Sequence, residues 1–237
     1  MGSTGANAGA GKKSNGLPEA TTITSNAQIK ELQNQMGQTG NEAGDANTNP
    51  TNKLYVNSGK SFNINAYLNS DGDSIVSPYT DWDNYISTNW VKNAIETIDK
   101  GVKPLPTSVN VSRFVDADSL GYILGNTGFN SGNFNSLLNS LQSDKSAGKD
   151  FTTALQNTNY THKGYTSTTY VGDHGSYGDR DIRLNMVMRA GTPAIVTNNH
   201  AEHEILGGRN LNYHFTGGWR VETTSSGKKQ LVLDVYV

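Results

Sequence analysis

Residues 90 to 101 carry apolar side chains at the three- and four-residue spacing of one helix face. The apolar positions are Trp90, Val91, Ala94, Ile95 and Ile98. The pattern stops at Gly101, and glycine is common at helix ends because it adopts a left-handed backbone without strain. The segment is therefore predicted to form a helix that packs its apolar face on the core.

Residues 109 to 115 alternate with a period of two instead, after Pro104 and Pro106 have interrupted the chain. Successive side chains of a strand point to opposite faces. The positions that would share one face are Val109, Val111, Arg113 and Val115. The pattern thus predicts a strand in which Arg113 lies in line with three valines.

Further elements are predicted towards the C-terminus. A short helix is expected around Leu137, Leu138 and Leu141. Strands are expected at residues 164–171, 182–188 and 202–206, followed by a meander of strands at 211–215, 219–222 and 231–237. Gly217-Gly218 and residues 225–227 would form the turns of that meander. Helices that come first and strands that come later favour an α+β domain.

The first 52 residues are dominated by Gly, Ala, Ser, Thr and Asn, which bury too little apolar surface to offset the entropy of ordering the chain. Within them, Ile29, Leu32 and Met36 recur at helical spacing behind Ser25, a residue type that caps helices. We therefore expect residues 1–52 to be a flexible tail with room for one short helix, and 53–237 to be one folded domain. The spacing does not decide whether that helix docks.

Composition and charge narrow the function. The 237 residues are 34% hydrophobic and contain 19 Lys and Arg against 21 Asp and Glu. Without a basic surplus, nucleic acid and anionic membranes are not the expected partners, and a small molecule or a protein is favoured. The absence of cysteine excludes disulfides and thiolate nucleophiles. Because no apolar run has the length of a membrane span and no secretory signal is recognisable, we expect a soluble protein, and any export would use another route.

Arg113 is the first candidate for chemistry. A guanidinium on an apolar strand face is costly unless an anion meets it, and its forked donors suit a carboxylate or a phosphate. An internal ion pair, or an arginine at the frayed end of the strand, is the alternative interpretation.

The second candidate is the hydroxyl-rich run at residues 165–169, which includes Ser167 and Thr168. Such runs also occur on solvated strand faces, so this signal has a purely structural alternative.

The third candidate is the pair Glu202 and Glu204, which an extended backbone would point to the same face, with His203 on the other. Two carboxylates held so close raise the pKa of at least one of them, as in acid/base or cation-stabilising sites. An exposed edge strand with charges that prevent aggregation is the alternative. Neither a His-Glu-x-x-His pattern nor the spacing of a calcium loop occurs, so no metal is expected.

In this order, the three candidates resemble the Arg, Ser-Thr-Ser, Glu-x-Glu class of bacterial mono-ADP-ribosyltransferases, which includes the clostridial binary toxins. The resemblance runs from about residue 60 to about residue 216. The helix, the Pro-containing linker and the strand around Arg113 are similar to those of the class. Ser167-Thr168-Thr169, which follows Tyr165, corresponds to the Ser-Thr-Ser motif with Thr at the third position. The turn at residues 191–193 and the segment at 205–210 after the glutamates also match. Residues 61–68 resemble the versions attached to phage minor head proteins.

The resemblance implies an α+β mixed fold, with N-terminal helices packed on a core of two small β-sheets, and NAD as the substrate. It implies that Arg113 holds the NAD pyrophosphate and that Ser167 orients the nicotinamide ribose and supports Glu204. Glu204 would stabilise the oxocarbenium cation, and Glu202 would act on the acceptor. In members of the class that have a glutamate at the position of Glu202, the acceptor is an arginine. The remaining residues expected to contact NAD are Thr168 and Arg183, with Arg180 as a further candidate for a phosphate contact. Solvated charges at the start of a strand are the alternative interpretation of the two arginines.

The expected partners are NAD and a protein acceptor. The chain is expected to be a secreted or phage-delivered effector that acts in the cytoplasm of a target cell. It would act alone or as part of a larger phage or toxin protein. Two departures from the family pattern stand out. The loop at residues 193–201 lacks the aromatic residue with which many relatives recognise their target, and Phe114-Val115-Asp116 replaces the usual residues after the arginine. An NAD glycohydrolase on the same fold and a non-enzymatic β-rich virion or adhesion module are the alternatives.

Overall fold

The computed structural model describes residues 16–38, 54–55, 58–72, 87–125, 131–171, 177–197 and 202–237. The α-helices within these ranges are α1 (Asn26–Gln35), α2 (Ser58–Asn69), α3 (Thr88–Gly101), α4 (Asp118–Ile123), α5 (Phe134–Ser143) and α6 (Lys145–Gln156). None of them is long and apolar enough to cross a membrane.

The strands are β1 (Lys103–Pro104), β2 (Val109–Val115), β3 (Tyr160–His162), β4 (Thr166–Thr169), β5 (Ile182–Met188), β6 (Pro193–Val196), β7 (Glu204–Gly207), β8 (Leu211–Thr223) and β9 (Lys229–Tyr236). Their hydrogen-bonded order is β1-β6-β7-β4-β2-β5-β9-β8-β3. β5 and β9 are parallel, and the other neighbours are antiparallel. The strand bounds predicted at 109–115 and 182–188 are confirmed.

The expected mixed fold is confirmed, but its strands follow one continuous order where two small sheets were expected. The reason lies in β8, whose 13 residues reach two partners. Its N-terminal part pairs with β3, and the strand then continues along β9. A single long strand thereby joins the two sheets that the resemblance implied.

Gly217-Gly218 is a bulge within β8, so the prediction of a turn there is wrong. The register of β8 against β9 shifts between Phe215 and Trp219, and pairing resumes beyond the shift. Gly217 has a φ of +84°, which L side chains rarely adopt, and a Cβ on Gly218 would lie 2.6 Å from Oδ2 of Asp234. Glycine is required at these two positions because of the backbone conformation of the bulge and the close approach of the Asp234 side chain. The chain does not reverse its direction here.

Two apolar clusters fix the helices on the strands. The larger one lies on the face of β2, β5 and β9 that carries Leu184 and Leu233, and it includes apolar residues of α1, α4, α5 and α6. The smaller one joins α2 and α3 to Ile195, Tyr165 and Leu206. The predicted stripe of α3 is confirmed for Val91, Ala94, Ile95 and Ile98, which are buried, whereas Trp90 is only partly buried and packs against the smaller cluster.

The helix predicted behind Ser25 is also confirmed, and it docks. Ser25 accepts a hydrogen bond from the backbone N–H of Gln28, whose side chain returns to the Ser25 backbone as a capping box. The apolar positions Ile29, Leu32 and Met36 are buried in the larger cluster. Residues 16–38 therefore pack on the strands, whereas residues 1–15 and 39–53 lie outside the described ranges.

Several elements were not predicted. α2, α4, α6, β1 and β3 had no assigned pattern, and the segment expected to be a loop from Pro193 begins with the buried strand β6. α6 has only Phe151 and Leu155 as large buried apolar residues. So sparse a pattern does not separate a helix from a polar loop.

Candidate active site

A cleft of about 230 Å³ opens where β2, β4 and β7 approach α2. It brings together Arg113, Ser167, Thr168, Glu202 and Glu204, and it also includes Arg180, the further candidate for a phosphate contact. These positions run from Arg113 in β2 to Glu204 in β7. The spatial convergence expected from the motifs is therefore present.

Glu204 is the most buried charged group of the cleft, with 2% of its surface exposed. The Ser167 hydroxyl donates to its Oε1 at 2.7 Å, and the Thr197 hydroxyl donates to its Oε2 at 3.2 Å. Burial is the main cause that raises the pKa of Glu204 to about 7. The hydrogen bond from Ser167 lowers this pKa, the charge of nearby Glu202 raises it further, and the hydrogen bond from Thr197 lowers it. The carboxyl group thus titrates near neutral pH.

The register of β4 against β7 explains this geometry. Thr169 pairs with Glu204 and Ser167 with Leu206, so Ser167 and Glu204 lie diagonally on one face. Thr168, one residue along, has the opposite orientation, and its hydroxyl donates to the backbone carbonyl of Ile205 at 2.6 Å. The Thr168 hydroxyl therefore holds the two strands together.

Glu202 reaches the cleft by a route that the sequence did not suggest. Residues 202 and 203 form a turn before β7, and His203 has a φ of 49°. The prediction of an extended segment through both glutamates is wrong because this left-handed residue ends the two-residue alternation. Glu202 nevertheless lines the same cleft as Glu204, and its Oε1 accepts a 3.3 Å hydrogen bond from the Tyr177 hydroxyl.

Arg113 lies on the apolar face of β2, opposite Leu184 of β5, as the alternation predicted. Its Nη1 donates to the Ser167 carbonyl at 3.2 Å, and its Nη2 lies 3.4 Å from Nε2 of His162. Within the described ranges, no carboxylate forms an ion pair with Arg113. The described residues therefore do not support the alternative of an internal ion pair, and Arg113 lines the cleft.

His162 is a site residue that sequence reasoning missed. It is buried on β3, with Nε2 3.2 Å from the Tyr165 carbonyl and Nδ1 3.2 Å from the Tyr160 hydroxyl. Burial, and next the charge of Arg113, lower the pKa of His162 to about 3, so the ring beside the guanidinium is neutral. No spacing in the sequence connects His162 to Arg113, because β3 and β2 are brought together only by the fold.

A second group missed from sequence joins the helices to β4. Asn65 of α2 accepts from the backbone N–H of Tyr165 at 2.9 Å and donates to the Tyr55 hydroxyl at 2.8 Å. The Tyr165 hydroxyl donates to Asp99 of α3 at 2.6 Å, and Arg209 also pairs with Asp99. These contacts fix the chain two residues before Ser167.

The two further arginines are separated by the structure. Arg180 lines the cleft, and its Nη1 lies 3.4 Å from Asp116. Arg183 is not among the described residues that line the cleft, and it pairs with Glu222 of β8 at 2.6 Å. Arg180 is therefore the better placed of the two for a phosphate contact. In the described part of the chain, no three His, Asp or Glu residues are grouped so that they could hold a metal ion.

Comparison with known proteins identifies the family of the chain and relatives of its fold. The model of the ADP-ribosyltransferase exoenzyme family matches residues 25–237, which confirms the family that the motifs predicted. Plx2a, an ADP-ribosyltransferase toxin from Paenibacillus larvae, has a similar fold, with a TM-score of 0.60 and 20% identity over 89% of this chain and 93% of that chain. A search of curated proteins finds no match.

Two further solved structures share the fold. C3stau2 from S. aureus, determined with NAD, has a TM-score of 0.63 and 19% identity over 93% of this chain and 99% of that chain. BECa, an ADP-ribosylating toxin of a C. perfringens binary enterotoxin determined with NADH, has a TM-score of 0.58 and 20% identity over 89% of this chain and 46% of that chain. At these identities the similarity is one of fold.

Proposed function

Because the chain belongs to the ADP-ribosyltransferase exoenzyme family, we propose that it transfers a single ADP-ribose from NAD to an arginine side chain of a protein, with release of nicotinamide. The observation that carries the proposal is the buried carboxylate of Glu204, held by Ser167 in a cleft that Arg113 also lines. This combination provides a negative group for a developing cation and a positive group for a phosphate.

Arg113 is proposed to bind the pyrophosphate of NAD. Its Nη1 atom is held by the Ser167 carbonyl, its Nη2 atom lies beside the neutral ring of His162, and no described carboxylate forms an ion pair with it. A guanidinium held in this way suits an anion with several oxygens. Arg180, on the cleft wall, is proposed as a second phosphate contact.

Glu204 is proposed to stabilise the transition state. When the bond between nicotinamide and ribose C1 breaks, the bonding electrons leave with nicotinamide, and the ribose becomes an oxocarbenium cation. A fixed carboxylate stabilises a charge that exists only at this point, which is how an enzyme accelerates the step without binding the substrate more tightly. Ser167 holds the Oε1 atom of Glu204 for this role.

Glu202 is proposed to act on the acceptor. A guanidinium nitrogen of the acceptor attacks ribose C1 and then loses a proton, which the half-buried Glu202 carboxylate can accept or steer. In the class that the sequence resembles, a glutamate at this position accompanies arginine modification. The acceptor is therefore proposed to be arginine.

Nicotinamide release from NAD, with and without agmatine as a soluble guanidinium acceptor, tests the proposal. Wild type is expected to release nicotinamide and to form ADP-ribosyl-agmatine. Glu204→Gln is expected to abolish both reactions, and Glu202→Gln to lose mainly the transfer. Nicotinamide release with no product on agmatine or on protein would make the chain an NAD glycohydrolase, and absence of release and of NAD binding would favour a non-enzymatic module.

The protein target and the delivery route are a further part of the proposal. We propose that the chain is a toxin-like effector, secreted or phage-delivered, that modifies a protein in the cytoplasm of a target cell. Mass spectrometry of host lysate incubated with the protein and NAD would identify the acceptor and the modified residue. ADP-ribose found only on residues other than arginine would contradict the assignment to Glu202.

A further inference from the structure

Tyr177 and Glu202 meet at the edge of the cleft, although 25 residues separate them in the chain. The Tyr177 hydroxyl donates to Oε1 of Glu202 at 3.3 Å, and both residues line the cleft. The guanidinium carbon of Arg180 lies 5.2 Å from the centre of the Tyr177 ring, which holds the ring from its face. The hydroxyl is thus directed at the carboxylate by a ring that has its own support.

The direction of this hydrogen bond is fixed by its chemistry. Burial, and next the charge of Glu202, raise the pKa of the Tyr177 hydroxyl above its ordinary value, so the hydroxyl stays protonated at neutral pH. A protonated phenol facing a carboxylate donates its hydrogen bond. Tyr177 therefore holds one of the two carboxylate oxygens of Glu202.

Glu202 needs such support more than Glu204 does. Glu204 lies within β7, is 2% exposed and is held by two hydroxyl groups. Glu202 lies in the turn before β7, next to the left-handed His203, and is only half-buried. A glutamate in a turn has several rotamers open to it, and each one that turns the carboxylate to solvent removes it from the cleft.

We propose that Tyr177 is a positioning residue that decides whether the ADP-ribosyl cation is passed to an acceptor or to water. By holding Oε1 of Glu202, it directs the second carboxylate oxygen towards the incoming acceptor nitrogen. The inference rests on the proposed function, since it assigns to Tyr177 a role in the acceptor step alone. Cleavage of NAD, which depends on Glu204, does not require it.

The first test is Tyr177→Phe, which removes the hydroxyl and keeps the ring over which Arg180 lies. Formation of ADP-ribosyl-agmatine is expected to fall about tenfold, the effect of losing one hydrogen bond to a partly exposed charged group. Nicotinamide release without agmatine, and the KM for NAD, are expected to stay within about twofold of wild type. The matched control is Tyr122→Phe on α4, where the tyrosine is 79% exposed and both reactions should be unchanged.

The second test asks whether the effect passes through Glu202. In a Glu202→Ala background the hydroxyl has no carboxylate to hold, so adding Tyr177→Phe is expected to cause no further loss of the residual transfer. A general structural role for Tyr177 would instead lower transfer again in that background, and would lower nicotinamide release as well.

The outcomes separate this inference from the function on which it rests. Wild type that releases no nicotinamide and forms no adduct overturns both. Wild type that forms ADP-ribosyl-agmatine, with Tyr177→Phe equally active, overturns the role of Tyr177 alone. A Tyr177→Phe protein that loses transfer and nicotinamide release to the same extent also overturns it, because the tyrosine would then act before the acceptor step.

Discussion

The Ser167 hydroxyl donates a 2.7 Å hydrogen bond to Oε1 of Glu204 across the β4–β7 pair. The bond joins a half-buried hydroxyl to a carboxylate that is 2% exposed. Burial alone would keep the carboxyl group protonated, and the hydroxyl opposes that effect by stabilising the ionised form. The pair therefore sets the pH at which Glu204 becomes ionised.

Cleavage of NAD is expected to require a pH above about 7. The pKa of Glu204 is raised to about 7, and only the ionised carboxylate stabilises an oxocarbenium cation. The value of kcat/KM for nicotinamide release should fall about tenfold per pH unit below the pKa and level off above it, since it reports the ionisation of the free enzyme. A rate that stays constant from pH 5 to pH 8 would contradict this role for Glu204.

Removal of the Ser167 hydroxyl is expected to move this pH dependence upwards. In Ser167→Ala the ionised form of Glu204 loses a hydrogen bond that lowers its pKa, so a higher pH is needed to ionise it. The plateau rate should also fall, because the carboxylate is held less firmly. The pH profile of nicotinamide release for Ser167→Ala beside wild type measures both effects. Thr161→Ala, on the exposed part of β3, is the control and should leave the profile in place.

Glu204→Gln is expected to stabilise the fold at alkaline pH while abolishing activity. The folded-state pKa, about 7, lies above the ordinary value of 4.5, so the unfolded chain loses this proton first as the pH rises. Ionisation of the buried Glu204 therefore destabilises the folded wild-type protein. This destabilisation is absent below about pH 4.5, grows between the two pKa values and is complete above pH 7, with an upper bound of about 3 kcal/mol. Glutamine removes it and can still accept from Ser167 and donate to Thr197.

Urea unfolding at pH 4.5 and pH 8 measures this effect. Glu204→Gln should match wild type at the lower pH and exceed it at the higher one. Glu96→Gln, at an exposed position of α3, should show no such difference between the two pH values. A Glu204→Gln protein that is less stable than wild type at pH 8 would mean that burial of this carboxylate carries no net penalty.

The regular parts of this fold could be predicted from sequence because each follows a local rule. The alternation at 109–115 gave the bounds of β2 and the face on which Arg113 lies. The apolar stripe of α3 was likewise visible, because one face of that helix packs on a single cluster. Ser167 and Glu204 could be paired only through the resemblance to a known class, since nothing local fixes the register of β4 on β7.

The parts that could not be predicted depend on backbone exceptions or on distant contacts. His203 turns left-handed without being a glycine, so the strand was expected to begin at residue 202 and begins at Glu204. A Gly-Gly pair is compatible with a turn and with a bulge, so the sequence does not distinguish the two. The pairing of β8 with β9 on both sides of Gly217-Gly218 shows that a bulge forms. His162 and Tyr177 lie beside Arg113 and Glu202 through tertiary contacts that leave no periodic signal.

Arg113 and Arg183 provide a matched pair of substitutions for NAD binding. Arg113→Lys replaces a forked donor by a single ammonium group, and the KM for NAD is expected to rise about tenfold or more because one bidentate contact is lost. Arg183→Lys should leave the KM unchanged, since the ammonium group can still pair with Glu222 away from the cleft. The KM for NAD in nicotinamide release measures both. An equal rise in the two variants would restore Arg183 as a contact of NAD.

Gln38 is expected to connect the N-terminal segment to the stability of the active site. Its side chain is fully buried, donates to the carbonyls of Gly101 and Ala194 at 2.9 and 3.1 Å, and accepts from the N–H of Val196 at 3.0 Å. Gln38→Leu keeps the approximate volume but leaves these backbone groups without their partner. A loss of about 2–4 kcal/mol in the free energy of unfolding is therefore expected.

The reason that this loss should reach the active site lies in β6, which ends at Val196. The next residue is Thr197, whose hydroxyl donates to Glu204, so a loosened β6 also weakens the support of that carboxylate. Urea unfolding measures stability, and nicotinamide release at pH 7 measures the effect on Glu204. Gln35→Leu, three residues earlier on the exposed side of α1, should change neither by much. If Gln38→Leu were as stable and as active as wild type, the segment at residues 16–38 would be an accessory to the domain and not a part of its core.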